Sequence, residues 1–390
     1  MTATSQDAPL PAAASVVVIG GGVMGLSSAY HLALAGVTDV VLVERGSLGE
    51  GSSSRAAGGL RAQFSDEVNI RLAMRSMETF RTFADDFDQD IDYHEVGYLF
   101  LLDNEADVAT FTANVALQNS LGVPSRIIDV AEARRLSPLI ETDGLLAAAF
   151  SPTDGHCTPE SVVLGLARAA RRAGVRIVTS CAATGVEVSD GAVVAVQTDR
   201  GRIGTTGVVC AAGAWSAVVG EWAGVDLPIR PLRRQIAVSD PVEGLDPDTP
   251  FTIDFSTSFY FHREGRGLLL GMPESADVWD HDLSRSLGWM DHLAAAIAHR
   301  IPRIGDIGID QGWAGLYEMT PDHNGLIGAA DEVSGFLYAA GFSGHGFMMG
   351  PAVGEVIRDL YLGRTPSIDV TALSASRFGG AGHRREHNFI

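Results

Sequence analysis

Cysteine is scarce in this sequence. Only Cys157, Cys181 and Cys210 occur in 390 residues, with no CxxC pair among them. That spacing excludes a disulfide framework and a thiolate metal site, so no metal is expected and the chain reads as a protein of the reducing cytoplasm. Long apolar runs are missing too: no stretch reaches the ~18 residues that a membrane-spanning helix needs. The first residues, MTATSQDAPLPAAASVVVIG, lack a basic segment ahead of their apolar run. They read as a flexible tail over 1–13 leading into a first strand, not as a signal peptide. Positive charge is the third shortage. Lys and Arg number 28 against 48 Asp and Glu, a net charge of −20, which argues against nucleic acid as a partner.

What is present is a well-packing composition with many glycines. Apolar residues make up 46% and charged residues 19%, which excludes a disordered chain. The length points to two domains rather than one core. The 45 glycines cluster, as they do where backbone must turn tightly or approach a ligand.

The first cluster carries the clearest motif. In SVVVIGGGVMGLSSAYHLALAGVTDVVLVERG, Val16–Ile19 predicts a short buried strand, 23–36 a helix and Val40–Val43 a second strand. Gly20, Gly22 and Gly25 form GxGxxG directly after the first strand, and Glu44 follows about 20 residues later. Gly20 permits the turn, Gly22 lets a pyrophosphate approach, and Gly25 lets helix and strand pack closely. The helix N-terminus at Val23 and Met24 faces the phosphates, and Glu44 is placed to accept hydrogen bonds from a ribose. Dinucleotide binding follows. The loop GEGSSSRAAGGLRAQFS over 49–65 can run along a long cofactor, but the glycine motif alone leaves FAD and NAD open.

With the segments VVVIGGGVMG, VLVERG, SSSRAAGGLR, VVCAAGAWS, WAGLYEMTPDHNGLIG and AAGFSGHGF, the chain resembles the D-amino-acid oxidase superfamily of FAD proteins. Its branch looks like that of sarcosine oxidase, glycine oxidase and dimethylglycine dehydrogenase. The motifs span nearly the whole chain in family order. The resemblance implies an α/β fold: a Rossmann-like FAD-binding domain with an inserted antiparallel-sheet α+β substrate domain. The implied ranges are 14–86, 152–230 and 318–380 for FAD, and 87–151 and 231–317 for substrate. It implies FAD contacts at Arg45, at Ser52, Ser53, Ser54 and Arg55, and at Ala57, Gly58 and Gly59. Further contacts are implied at Val186, at Ala212, Gly213 and Trp215, at Gly315, and at Gly344, His345, Gly346, Phe347 and Met348. The residue pattern itself predicts helices at 66–87, 105–120, 160–173 and 286–300. It predicts strands at 176–180, 184–188, 192–198, 206–211, 232–238, 258–262, 267–271 and 309–317. A last helix is predicted at about 349–361, with Pro351 in its first turn and its positive end toward the flavin.

Three departures from the family pattern matter. Monomeric sarcosine oxidases attach FAD through a cysteine in CMYxxTPD, where Gly315 stands here. Dimethylglycine dehydrogenases use a histidine where Arg55 stands. Non-covalent FAD follows. Second, the lysine of GLKLG that promotes reaction with oxygen is replaced by Leu269, which shifts the expectation from oxidase toward dehydrogenase. His262, Arg263 and Arg266 are nearby cations, the two arginines reading equally well as a hairpin turn. Third, of the family's groups for the substrate carboxylate only Arg61 matches. Met348 replaces a lysine and Tyr317 an arginine. Arg61 is then the sole clamp or a charge beside the flavin, and Arg233 or Arg234 could supply a second cation.

The implied reaction oxidises the C–N bond of a secondary or N-substituted amino acid, such as an N-alkylglycine. Hydride passes to flavin N5 and the imine hydrolyses. O2 or another acceptor reoxidises the flavin. Arg61, Tyr260, His262, Tyr317 and His345 are the candidate catalytic residues. Tyr260 and His262 share one face of a strand, aimed either at the flavin or into core. His345 reads alternatively as a hydrogen bond that holds its own loop, and Trp313 reads as packing. Three other functions stay open: a proline- or sarcosine-type dehydrogenase, an electron-transferring subunit of a complex, and a non-catalytic FAD assembly protein. A homo-oligomer is equally compatible.

Overall fold

The computed structural model describes residues 10–379 and 384–390. The first glycine segment forms β1 (Val16–Ile19), α1 (Val23–Leu34) and β2 (Val40–Val43). β1 and β2 pair in parallel with register Val17 to Val41. They sit inside a six-stranded sheet whose order runs Leu326–Ala329, Phe336–Ala340, Val208–Cys210, β1, β2, Arg176–Val178. Only its edge strand Leu326–Ala329 is antiparallel. VVVI, VVLV and VVC are apolar throughout because both faces of the sheet are covered, one by helices and the other by a three-stranded sheet over 183–204 with the helix Ser216–Ala223.

An eight-stranded sheet forms the second layer. Its order is Ile309–Met319, Arg230–Ser239, Gly267–Met272, Phe259–Glu264, Phe251–Asp254, Tyr98–Leu102, Ala147–Ser151, Arg126–Ile128. All pairings in it are antiparallel except Phe251–Asp254 with Tyr98–Leu102. Strands Arg230–Ser239 and Ile309–Met319 begin or end one or two residues beyond the expected segment boundaries, and the other strands of this sheet fall within 87–151 and 231–317. We propose that the chain divides into its two domains along those segments.

Several elements differ from the sequence expectation. The helix expected over 66–87 is two, Glu67–Arg81 and Phe83–Phe87, parted at Thr82. The Asp66 carboxylate caps the first by accepting from the Val68 amide at 2.9 Å. Strands YLFLL and AAAFS carry no alternation, because both faces are buried, and a short apolar run does not separate strand from helix. Residues 1–9 of the expected tail lie outside the described residues. Ala12 and Ala14 are hydrogen-bonded to Gly204, so this end of the tail is docked.

The last long helix starts at Gly346, three residues earlier than expected, and Pro351 is its sixth residue rather than part of its first turn. The missing N–H there removes one helical hydrogen bond. Packing outweighs that loss: a Cβ at Gly350 would strike Val23, and one at Gly354 would strike Ser27. The glycine row thus lets this helix lie directly on α1, with Ser27 Oγ donating weakly to the Pro351 carbonyl at 3.4 Å.

Candidate functional site

The glycine loop is built from close backbone contacts. Gly20 has φ +114°, and a Cβ on it would run into the Ala211 carbonyl. A Cβ on Gly25 would strike the Gly20 carbonyl. Gly22 occupies the N-cap of α1, and the Ser53 hydroxyl accepts from the Val23 amide at 2.9 Å. Both Glu44 oxygens also serve the loop, accepting from Gly21 N at 2.7 Å and Gly46 N at 2.8 Å. Glu44 therefore fixes the backbone around the helix N-terminus, whatever else it binds.

The following loop is fastened to the other sheet. Ser52 Oγ donates to the Leu316 carbonyl at 2.7 Å, and Arg55 Nη1 to that of Ala314 at 3.0 Å. Trp313 Nε1 donates back to the Arg55 carbonyl at 3.0 Å, which is the packing role its position suggested. Gly315 faces Arg55. Further along, the Arg45 guanidinium lies 3.6 Å from the Trp215 ring centroid, and Trp215 stacks on His281.

These segments enclose a cavity of about 730 Å³ that runs from the glycine loop to the large sheet. Most of the expected cofactor residues line it: Gly20, Gly22, Val23, Met24, Glu44, Arg45, Ser52, Ser53, Arg55, Ala57, Gly58 and Gly59. Ala212, Gly213, Trp215, Gly315, Gly344, His345, Gly346, Phe347 and Met348 line it too. Three do not. Gly25 is inside α1 against Gly20, Ser54 sits behind the loop against Gly49, and Val186 is buried in the apolar cluster with Val178 and Val196. Gly25 shapes the cradle without touching its contents.

The far end of the cavity holds Arg61, Tyr260, Tyr317 and His345 together. Arg61 is 2% exposed. Its Nη1 donates to the Gln63 carbonyl at 2.6 Å and Nη2 to that of Asn388 at 2.7 Å, while Nε has no partner. The guanidinium lies 4.1 Å from the Phe64 ring centroid. A buried cation with an unused donor costs free energy unless an anion meets it. His345 is the N-cap residue of the 346–361 helix, and its Nε2 is also without a partner. Burial, reinforced by Arg61, keeps its imidazole well below the ordinary pKa and therefore neutral. Gly344, at φ +96°, lets the loop pass against the Tyr317 ring.

His262 is a correction. It does not line the cavity. Its two ring nitrogens face the main-chain oxygens of Arg263 at 2.7 Å and Ala57 at 2.9 Å, beneath the loop. Burial lowers its pKa to about 4 although both carbonyls favour the cation. It shares a strand face with Tyr260, but only Tyr260 reaches the cavity. Of the two arginines left open, Arg233 is held by Glu274 at 2.7 Å and Asp282 at 3.0 Å, whereas Arg234 lines the cavity, its Nη1 paired with Asp277 at 3.2 Å and its Nε unpartnered.

With this geometry, comparison with known proteins is specific. Residues 15–360 match the family described as FAD dependent oxidoreductase. The chain belongs to that family. It is 31% identical over 389 residues to mitochondrial sarcosine dehydrogenase of Mus musculus, covering 95% of this chain and 42% of the relative. The chain thus spans less than half the length of that curated relative. L-proline dehydrogenase of P. horikoshii is 33% identical with a TM-score of 0.89, covering 95% of this chain and 99% of that one. Glycine oxidase of Geobacillus kaustophilus has a TM-score of 0.85 at 24% identity, covering 94% and 99%, and shares the fold.

The residues fit the family's cofactor. Gly20 and Gly25 leave the loop room to fold against Ala211 and onto α1, where a Cβ would collide with backbone, and the lining of the cavity includes both that loop and the 49–59 segment that follows it. Among the lining residues that sequence reasoning missed are Tyr98, Phe251, Glu318, Phe389 and Ile390. Glu318 accepts from Gly341 N at 2.9 Å, and burial raises its carboxyl to about 7. Its place inside YEMTPD carried a signal, since an acid within an apolar strand is rarely buried without a task. Tyr98 and Phe251, stacked 4.3 Å apart, read as ordinary core. No helix among the described residues is long and apolar enough to cross a membrane.

Proposed function

We propose that this chain oxidises the C–N bond of a secondary or N-substituted amino acid with non-covalently held FAD. The observation that carries the reading is Arg61: a buried guanidinium with an unpartnered Nε at the end of a cavity that begins at a dinucleotide cradle. When bound, FAD supplies the acceptor for two electrons and a hydrogen from the carbon beside nitrogen. The chain's residues bind and orient. Arg61 pairs with the substrate carboxylate through Nε and its remaining N–H groups. Tyr98, Tyr260 and Tyr317 surround the adjoining space and exclude water, which favours the neutral amine over the ammonium. His345, held neutral, offers Nε2 as acceptor for a proton of the amine. The cavity lining contains no cysteine, and Gly315 and Arg55 occupy the positions that would carry a covalent link.

A dehydrogenase is favoured over an oxidase within this class. Leu269 is 3% exposed and packs in the apolar cluster of Tyr98, Ile236 and Tyr260, so that position offers no cation to stabilise reduced oxygen. Anaerobic titration of the holoprotein with sarcosine, proline and bulkier N-substituted glycines tests both statements. Bleaching of the flavin by one class, with slow recovery on admitting air, is expected. A flavin that no amine bleaches would overturn the activity. Release of flavin only after proteolysis, and not by acid, would overturn the non-covalent attachment.

A further inference from the structure

Residues 384–390 return to the cavity across the wall that carries Arg61. Two buried polar residues anchor them. Glu386 is 1% exposed, and its carboxylate accepts from Ser65 N at 2.9 Å, Ser65 Oγ at 2.7 Å and Asn69 Nδ2 at 2.9 Å. Its own amide donates to the Asp322 carbonyl at 3.0 Å. Asn388 is fully buried. Its Nδ2 donates to the Gln63 carbonyl at 3.0 Å and its Oδ1 accepts from Asn114 Nδ2 at 2.8 Å. Buried groups satisfied on both sides hold a segment in one arrangement, because any displacement strands several of them at once.

That anchoring has two effects on the cavity. The Asn388 carbonyl takes Nη2 of Arg61 and the Gln63 carbonyl takes Nη1, so the guanidinium is fixed with Nε unspent. Beyond Asn388, Phe389 and Ile390 turn into the cavity itself. The Phe389 ring lies 4.2 Å from His323 and meets Tyr317 edge-on at 6.3 Å. Ile390 packs on the cluster that contains Tyr98, Phe251 and Tyr260. An apolar surface next to an anchored segment thus lines the same cavity as the unpartnered donor.

We infer that segment 386–390 is the specificity wall of this site: Phe389 and Ile390 receive an apolar substituent of a substrate whose carboxylate meets Arg61, and Asn388 positions that arginine. The inference rests on the amino-acid reading above and adds to it the kind of substituent accepted. The side chains of Phe389 and Ile390 offer no hydrogen bond, so a charged or strongly polar substituent laid against them would lose hydration that they do not replace. An apolar one loses nothing, and a rigid wall limits its size. One methylene in such a pocket discriminates by roughly ten- to two-hundred-fold.

The holoprotein and its Phe389→Ala and Phe389→Leu variants are compared in anaerobic flavin reduction by sarcosine, N-propylglycine, N-benzylglycine and proline. Dissociation constants for acetate and cyclohexanecarboxylate are read in parallel from the flavin absorbance change. The Ala variant is expected to shift preference toward the bulkier member of each series by about tenfold or more, with the Leu variant between. Flavin content and melting temperature should be those of the parent. An unchanged ranking in both series would overturn the wall while leaving amine oxidation standing. If no amine reduces the parent flavin, the amine reading falls, and the carboxylate series still decides: a tenfold shift upholds the wall and an unchanged ratio overturns it. Should the Ala variant fail to fold, the Leu variant is read the same way at about threefold.

Discussion

The two ends of the cavity are made of different material. The cofactor end is backbone: Gly20, Gly22 and Gly25 leave room, and amides of Gly21, Val23 and Gly46 are held by Glu44 and Ser53. The end proposed for the substrate is side chain: Arg61, Tyr98, Tyr260, Tyr317 and His345 come from distant stretches of the chain, and Phe389 and Ile390 line the same cavity. A backbone site depends on which residues are absent at a few adjacent positions. A side-chain site depends on where separate strands place their faces. The first therefore tolerates no added atoms, while the second is tuned residue by residue.

Substitutions at the two ends sharpen this contrast. The largest effect is expected at Gly20. An alanine there would be strained at φ +114° and would overlap the Ala211 carbonyl, costing at least about 3 kcal/mol of strain and repacking. Gly20→Ala should purify with little or no flavin. Full flavin content would show that the cradle is not built as described. Next comes Arg61→Met, which removes the anchoring cation but keeps an apolar stem against Phe64. Binding of substrate carboxylate should weaken by about 100-fold, or ~3 kcal/mol, with flavin content unchanged. Loss of flavin along with substrate binding would make Arg61 part of the cofactor end and break the comparison.

A smaller effect is expected at Glu318. Its carboxyl titrates near 7 in the folded protein because it is buried, against an ordinary 4.5. The folded state then holds a proton that the unfolded state releases between pH 4.5 and 7. Stability from this group is present below about 4.5 and is lost as pH rises through about 7. Glu318→Gln keeps an acceptor for Gly341 N and removes the titration. Urea unfolding between pH 5 and 8 should be flatter in the variant than in the parent by about 2 kcal/mol over that span. Identical slopes would mean that Glu318 ionises normally.

The legibility of the chain follows the same division. β1, α1 and β2 and their glycines could be read off, because a local pattern of strand, GxGxxG and helix specifies its own geometry. The helix on α1 was legible in kind but not in its start, since whether Gly346 continues a helix through Pro351 depends on Val23 and Ser27 of another element. Strands Tyr98–Leu102 and Ala147–Ser151 were not legible, being buried on both faces. His262 and Tyr260 show the limit most sharply. Alternation placed both on one face, yet the loop at Ala57 lies over His262 and leaves Tyr260 open. Arg233 and Arg234 adjoin in sequence, and only the sheet register sends one to Glu274 and the other to the cavity.

The sequence by itself determined the cradle, its helix and the class of group it suits, a dinucleotide, because those rest on neighbouring residues and on the atoms glycine lacks. The tertiary structure alone decided which polar side chains face the cavity and which are spent on the fold. It also brought Asn388 and Phe389 to Arg61, more than 300 positions away in the chain. Burial and register are properties of packed strands, and no stretch of residues carries them before the sheets are assembled.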